Sequence, residues 1–118
     1  MVYTSTSLAL AALELFVHLD PSQAPDDLVS IAATLPPNIK TETIDLADLP
    51  ADWRRIDHPA PRDLGSDWAK SKRTLALRVP SAVIPGEWNV LLNPAHASFA
   101  RITVADPRPF RYDQRMFR

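Results

Sequence analysis

The sequence predicts a mixed α+β domain built from short strands and two main helices. Three observations predict it. The run "TLALRV" (74–79) alternates with the period of a strand. Leu8, Ala11, Ala12, Leu15 and Leu19 fall at i, i+3, i+4, i+7 and i+11, which is one face of a helix. Turn-forming breaks at 20–27, at Pro36-Pro37 and across 79–96 keep the elements short. At 118 residues the chain reads as one domain, 1–118, with a modest core.

In chain order, "VYT" (2–4) reads as a strand that begins almost at the first residue. Ser5 or Ser7 can cap the helix that follows, since a hydroxyl there accepts from free first-turn N–H groups. Leu10, Leu13 and Val17 make the other side of this helix nearly as apolar as the first, and a helix apolar all round is normally buried. "DPSQAPDD" (20–27) is a loop, and "LVSIAAT" (28–34) is a strand ended by the proline pair. "TETI" (41–44) fits a short strand, and "DLADLPADW" (45–53) a turn with a short helix. "APRDLGSDWAKSKR" (60–73) reads as the second helix, weakened by Gly65. After the 74–79 strand, "NVLL" (89–92), "RITVA" (101–105) and "PFRYD" (109–113) are further strand candidates.

Composition excludes several functions. The net charge of −1 with 23% charged residues argues against direct nucleic-acid binding and against a polybasic membrane surface. There is no cysteine, hence no disulfide and no zinc-thiolate site. The apolar run 8–17 is too short for a membrane span, is interrupted by Glu14, and has no positive flank of the kind a signal peptide carries. The expectation is a mature, soluble, cytoplasmic protein. Two glycines are too few for a dinucleotide fingerprint or a P-loop, so a nucleotide would be held by side chains and ordinary backbone. The charges are uneven. Residues 1–39 carry no Lys or Arg, whereas the last 18 residues hold Arg101, Arg108, Arg111, Arg115 and Arg118.

Glu14 is the most informative residue. It is the only charged side chain other than histidine in residues 1–19 and sits mid-helix among apolar neighbours, so it must be paired, protonated or facing a cleft. His18 lies one turn on, on the same side. Two readings stay open, a narrow solvent stripe and a functional cleft. Tyr3 is either strand packing or an aromatic platform for a planar ligand. Ser81, after Pro80 at a strand end, is either part of a turn or a hydroxyl aimed at a ligand, and no G-x-S-x-G elbow surrounds it. Asn89, Asn93 and His96 have ordinary turn explanations. His18, His58 and His96 lack metal-ligand spacing. Trp53, Trp68 and Trp88 suit core packing. The C-terminal arginines could bind an anion, but they alternate with apolar residues on a strand, and one solvated face is the simpler account.

The order "VYTSTSLALAALELFVHL", "LPADWR", "LGSDWA", "LRVPSAVIPGEWNVLLNPAH", "RPFRYDQRMF" resembles the RES domain family across essentially the whole chain. That family is named for an Arg, a Glu and a Ser. The resemblance implies a mixed split β-sheet with flanking helices, similar to the ADP-ribosyltransferase fold, around a nicotinamide-dinucleotide cleft. It implies a bacterial toxin that degrades NAD as substrate, needs no further cofactor, and pairs with a helix-turn-helix antitoxin that covers the cleft. The family Glu falls on Glu14, the Ser on Ser81, and the cleft tyrosine on Tyr3; Asn89 lies in the same block as Ser81.

The family Arg belongs upstream of the "VYT" strand, and here the first Arg is Arg54, in a different motif. The chain therefore reads as N-terminally short. A missing forked cation should lower dinucleotide affinity, and an uncovered sheet edge should invite a partner or a homo-oligomer. Three expectations follow: an NAD-cleaving toxin domain, an inactive remnant that only binds antitoxin, and a structural domain whose polar residues solvate its surface.

Overall fold

A computed structural model describes residues 1–117; Arg118 lies outside the described residues. The ordered elements are β1 (Val2–Ser5), α1 (Leu8–Phe16), β2 (Val29–Ser30), β3 (Ala33–Thr34), β4 (Thr41–Thr43), α2 (Pro59–Ser71), β5 (Ala76–Pro80), β6 (Trp88–Leu92), β7 (Thr103–Val104) and β8 (Arg108–Pro109). The mixed α+β class is as the sequence predicts. Four strands form one mixed sheet in the order β1-β6-β5-β4, and β2–β8 and β3–β7 form two separate short ladders.

In the sheet, β6 is antiparallel to both β1 and β5, while β4 runs parallel to β5. A parallel pair needs a long crossover, and the segment carrying α2 supplies it between β4 and β5. α2 starts with Pro59 at its first turn, and the His58 Nδ1 accepts from the Ala60 N–H at 3.1 Å. It ends at Lys72, whose φ of 54° closes the helix in the left-handed region. Trp68 of α2, Leu77 of β5 and Leu91 of β6 form the core cluster, with Ile44, Ala69 and Val79 packed against it. The Trp68 indole N–H is buried too, and donates to the Thr74 hydroxyl at 2.8 Å. Trp53 is buried and Trp88 half-buried, in keeping with packing roles.

Ser7, one of the two expected caps, caps α1, accepting from the Leu10 N–H at 3.1 Å. The burial of α1 departs from expectation. Of its apolar residues only Leu10 is buried, while Leu8 and Leu15 are 54% and 40% exposed. An all-round apolar helix is buried only if something covers each side. Here β1 covers one side, and the C-terminal segment covers another through Phe16, Tyr112 and Phe117, whose ring centroids lie 5.5–5.8 Å apart. The Tyr112 hydroxyl, whose pKa is raised by burial, donates to the Ala12 carbonyl. The remaining side is open. The radius of gyration, 15.5 Å, exceeds the roughly 13.5 Å typical of a compact chain this long, as expected of a flat molecule.

The strands read over 28–34, 101–105 and 109–113 contract to two-residue pieces. The 28–34 run splits at Ile31-Ala32, because its two halves pair with different partners: β2 with β8 and β3 with β7. The C-terminal arginines consequently do not share one strand face. Arg101 ends a 3-10 turn, Arg108 is in β8, Arg111 is in irregular chain, and Arg115 is ion-paired with Asp113 at 2.8 Å. No helix among the described residues is long and apolar enough to cross a membrane.

Candidate functional site

The stretch 79–96 is a hairpin whose loop is built around one hydroxyl. β5 and β6 stay in register to Pro80 opposite Trp88. The Ser81 N–H then donates to the Glu87 carbonyl at 2.8 Å, and the Glu87 N–H to Ile84 at 3.2 Å. Gly86 takes φ +86°, where a side chain would strain the backbone. Inside this loop the Ser81 Oγ accepts from the Val83 and Ile84 N–H groups at 3.1 and 3.0 Å. Its one proton goes to Glu14 Oε1 at 2.6 Å. Ser81 is thus both a turn residue and a contact of Glu14. At 1% exposure, with its donor and both acceptor sites used, it has no hydrogen bond left to offer a ligand.

Asn89 completes the hold on the carboxylate. Its Nδ2 donates to the same Glu14 Oε1 at 2.7 Å. Its Oδ1 accepts from the Ser5 hydroxyl at 2.6 Å, which fixes which way the amide points. That contact follows from strand register, since Ser5 of β1 lies opposite Asn89 of β6. One oxygen of Glu14 therefore takes two hydrogen bonds, from two residues of the hairpin. The other, Oε2, has no hydrogen bond among the described residues and is not buried. Half-buried on α1, Glu14 is a carboxylate pinned by one oxygen and presented by the other.

Two adjoining lobes of one cleft meet here. The smaller, ≈ 350 Å³, is lined by Tyr3, Ser5, Glu14, Leu15, His18 and Asn89. The larger, ≈ 720 Å³, extends past Ser7 to Ser30 and Arg108. Tyr3, Thr4, Ser5 and Ala11 line both lobes. Both volumes fall in the range of small-ligand sites. Tyr3 is 70% exposed and has no aromatic partner among the described residues, so its ring is free to meet a ligand. A fixed negative charge beside an open aromatic ring suits a planar cation, which gains from both.

The structure brings Tyr3, Glu14 and Asn89 to the cleft and places Ser81 directly behind Glu14, lining neither lobe. His18 shares the small lobe with Glu14. The other histidines serve turns: His58 caps α2, and His96 Nδ1 accepts from the Ser98 N–H at 3.0 Å. Asn93 orders its own turn, with Oδ1 accepting from the Ala95 N–H at 3.0 Å. No cluster of three metal-ligating side chains occurs among the described residues. Ser5 and Arg108 are cleft residues that the sequence reading did not single out. Ser5 looked only like a candidate cap, and Arg108 was one of five C-terminal arginines for which a solvated face was the simpler account than anion binding. Neither carries a local signal, since both reach the cleft through pairing with distant strands.

Comparison with known proteins identifies the family. The RES domain family model matches residues 1–113. A Sphingobium protein named Prs ADP-ribosylating toxin is 37% identical over 123 residues, covering 100% of this chain and 75% of its own length. A protein named Toxin Res from Photorhabdus laumondii is 32% identical over 117 residues, covering 98% and 74%. Another Toxin Res, from Pseudomonas putida, is 36% identical over 124 residues, covering 99% and 79%. The family match over nearly all of the described chain, with relatives above 30% identity along its whole length, means that this chain belongs to the RES domain family.

Proposed function

We propose that this protein is a toxin that cleaves the nicotinamide–ribose bond of NAD, with Glu14 as the catalytic carboxylate. The observation that carries the reading is the one-sided hold on Glu14: Ser81 and Asn89 bind Oε1 at 2.6 and 2.7 Å, and Oε2 is left for the cleft. The nicotinamide of NAD is a planar cation, the kind of group that the Glu14 carboxylate and the Tyr3 ring suit together. In the reaction the bond from ribose C1′ to the nicotinamide nitrogen breaks. Its electron pair leaves with nicotinamide, which departs neutral. Positive charge builds on the ribose ring, and a fixed carboxylate beside it stabilises that charge most where it is largest. An acceptor lone pair then bonds to C1′, and the acceptor's proton passes to solvent.

Each neighbour has a role in this reading. Tyr3 stacks on or orients the nicotinamide. Asn89 and Ser81 are positioning residues that hold the carboxylate, and Ser5 holds Asn89. NAD is the substrate, and no further cofactor is needed. Three relatives are named toxins and one of them an ADP-ribosylating toxin, which supports NAD as the source of an ADP-ribosyl group. A toxin of this kind needs restraint in its own cell, and a helix-turn-helix antitoxin covering the cleft would supply it.

The test is incubation with NAD and measurement of free nicotinamide, for wild type, Glu14→Ala and Glu14→Gln. The expected result is release by wild type, and a loss of roughly 100-fold or more in both variants, with unchanged circular dichroism. Product analysis identifies the acceptor: free ADP-ribose for water, ADP-ribose phosphorylated at the former nicotinamide-bearing carbon for phosphate, labelled macromolecule for transfer. Well-folded wild type that releases no nicotinamide overturns the reading in favour of a non-catalytic interaction module.

A further inference from the structure

The larger lobe of the cleft is lined mostly by small and hydroxyl-bearing residues, among them Thr6, Ser7 and Ser30. Arg108 is the only Lys or Arg lining either lobe among the described residues. Its guanidinium has no ion-pair partner among them. Its backbone is stiff and anchored. Pro107 and Pro109 flank it, Arg108 lies opposite Ser30 in the β2–β8 ladder, and the Phe110 N–H donates to the Leu28 carbonyl at 3.0 Å. A positioned, unpaired guanidinium in a cleft is poised for an anion, and its planar fork matches phosphate oxygens in pairs. Asp106 lines the same lobe and opposes free anions, which favours a ligand that also brings a hydroxyl donor.

We infer that Arg108 binds the diphosphate of the dinucleotide and so sets the preference of the cleft for dinucleotides over nucleosides. The inference rests on the NAD reading for the direction in which the ligand lies. With nicotinamide at Glu14 and Tyr3, the rest of the molecule runs past the shared residues Thr4, Ser5 and Ala11 into the lobe that holds Arg108. A cation reaching the cleft from the C-terminal end of the chain gives this first 39-residue stretch, which has no Lys or Arg, the positive charge it lacks.

The experiment compares wild type, Arg108→Gln, Arg108→Lys and Glu14→Gln in two assays. One is binding of ADP-ribose by calorimetry. The other is nicotinamide release from NAD and from nicotinamide riboside, which has no phosphate. Arg108→Gln should weaken ADP-ribose binding and raise KM for NAD by about tenfold. The kcat and the riboside kinetics should stay unchanged. Arg108→Lys should recover part of the loss, and Glu14→Gln should still bind ADP-ribose. Since Arg108 is exposed, the thermal midpoint of Arg108→Gln should match wild type. Release of nicotinamide with ADP-ribose binding indifferent to Arg108 overturns the inference and leaves the NAD reading standing. Arg108-dependent binding without nicotinamide release does the reverse, and wild type that neither binds nor cleaves removes both.

Discussion

The two ends of the central sheet are built on opposite principles. Toward the β4–β5 end, α2 closes a core on β5 and β6 in which Trp68, Leu77 and Leu91 are each at most 3% exposed. At the β1–β6 end, α1 lies against the sheet with much of its apolar surface uncovered. What connects it there is a chain of hydrogen bonds from Ser5 through Asn89 to Glu14 and Ser81. The first end loses water and gains stability through area. The second keeps a cleft open and spends its hydrogen bonds on fixing one carboxylate. The β5–β6 hairpin belongs to both: Leu77 and Leu91 anchor it in the core, and beyond them Ser81 and Asn89 reach Glu14. A packed core thus sets, through the hairpin, the position of a carboxylate that is not one of its members.

The largest effect that should separate the ends is Trp68→Ala. It removes the largest side chain of the core and leaves the buried Thr74 hydroxyl without its donor. The expected cost is about 3–5 kcal/mol in urea denaturation, a large share of the stability of a domain this size. Glu14→Ala in the same measurement should cost much less, since Glu14 is only half-buried and Asn89 keeps access to solvent, leaving the buried Ser81 hydroxyl as the one group that loses its acceptor. If Glu14→Ala destabilises as much as Trp68→Ala, the division of labour between the two ends is wrong.

Ser81→Ala should sit between these extremes and touch both ends. It removes a donor to Glu14 and leaves the Val83 and Ile84 N–H groups without their acceptor. A stability loss of about 1–3 kcal/mol follows from the unsatisfied loop. In nicotinamide release, kcat should fall by about tenfold, with KM for NAD unchanged, because Ser81 lines neither lobe of the cleft. A rise in KM with kcat intact would mean that Ser81 touches substrate instead.

How much of this was legible in the sequence follows the same divide. Glu14 was conspicuous because a lone carboxylate in an apolar helix has to be accounted for. The 79–96 stretch was conspicuous because it is too long and too proline-punctuated for an ordinary hairpin. Neither feature shows what the two do to each other. Ser81 read as a choice between a turn and a hydroxyl aimed at a ligand; the structure shows the turn and, in place of a ligand, a hydrogen bond to Glu14, because one hydroxyl can accept from its own loop and donate across to a helix. The 28–34 run read as one strand because local pattern carries no record of partners, and its halves pair with β8 and β7 separately. Arg108 could not be told from the other C-terminal arginines for the same reason. The pairing that brings it beside Ser30 joins segments nearly 80 positions apart in the sequence.

The smallest effect concerns the core end, where β4 is tied to the chain just after α2. The Arg73 guanidinium holds both oxygens of Glu42, at 2.9 and 3.0 Å. The side-chain hydrogen bond from Arg73 is the main reason that the Glu42 pKa lies below its ordinary value; attraction to the charge adds to it and burial works against it. A carboxyl whose pKa is lower in the folded state binds fewer protons there than when unfolded. Its contribution is therefore present above the unfolded pKa and is lost as pH falls through the folded one. The pair is open to water, with side chains 60% and 32% exposed, so solvent screens it. Glu42→Gln should lower the thermal midpoint at pH 7 by no more than about 4 °C. The gap between wild type and variant should close in acid as Glu42 protonates, and at neutral pH it should narrow in 1 M salt. A gap that persists unchanged at low pH would assign the loss to packing of β4 rather than to the charge.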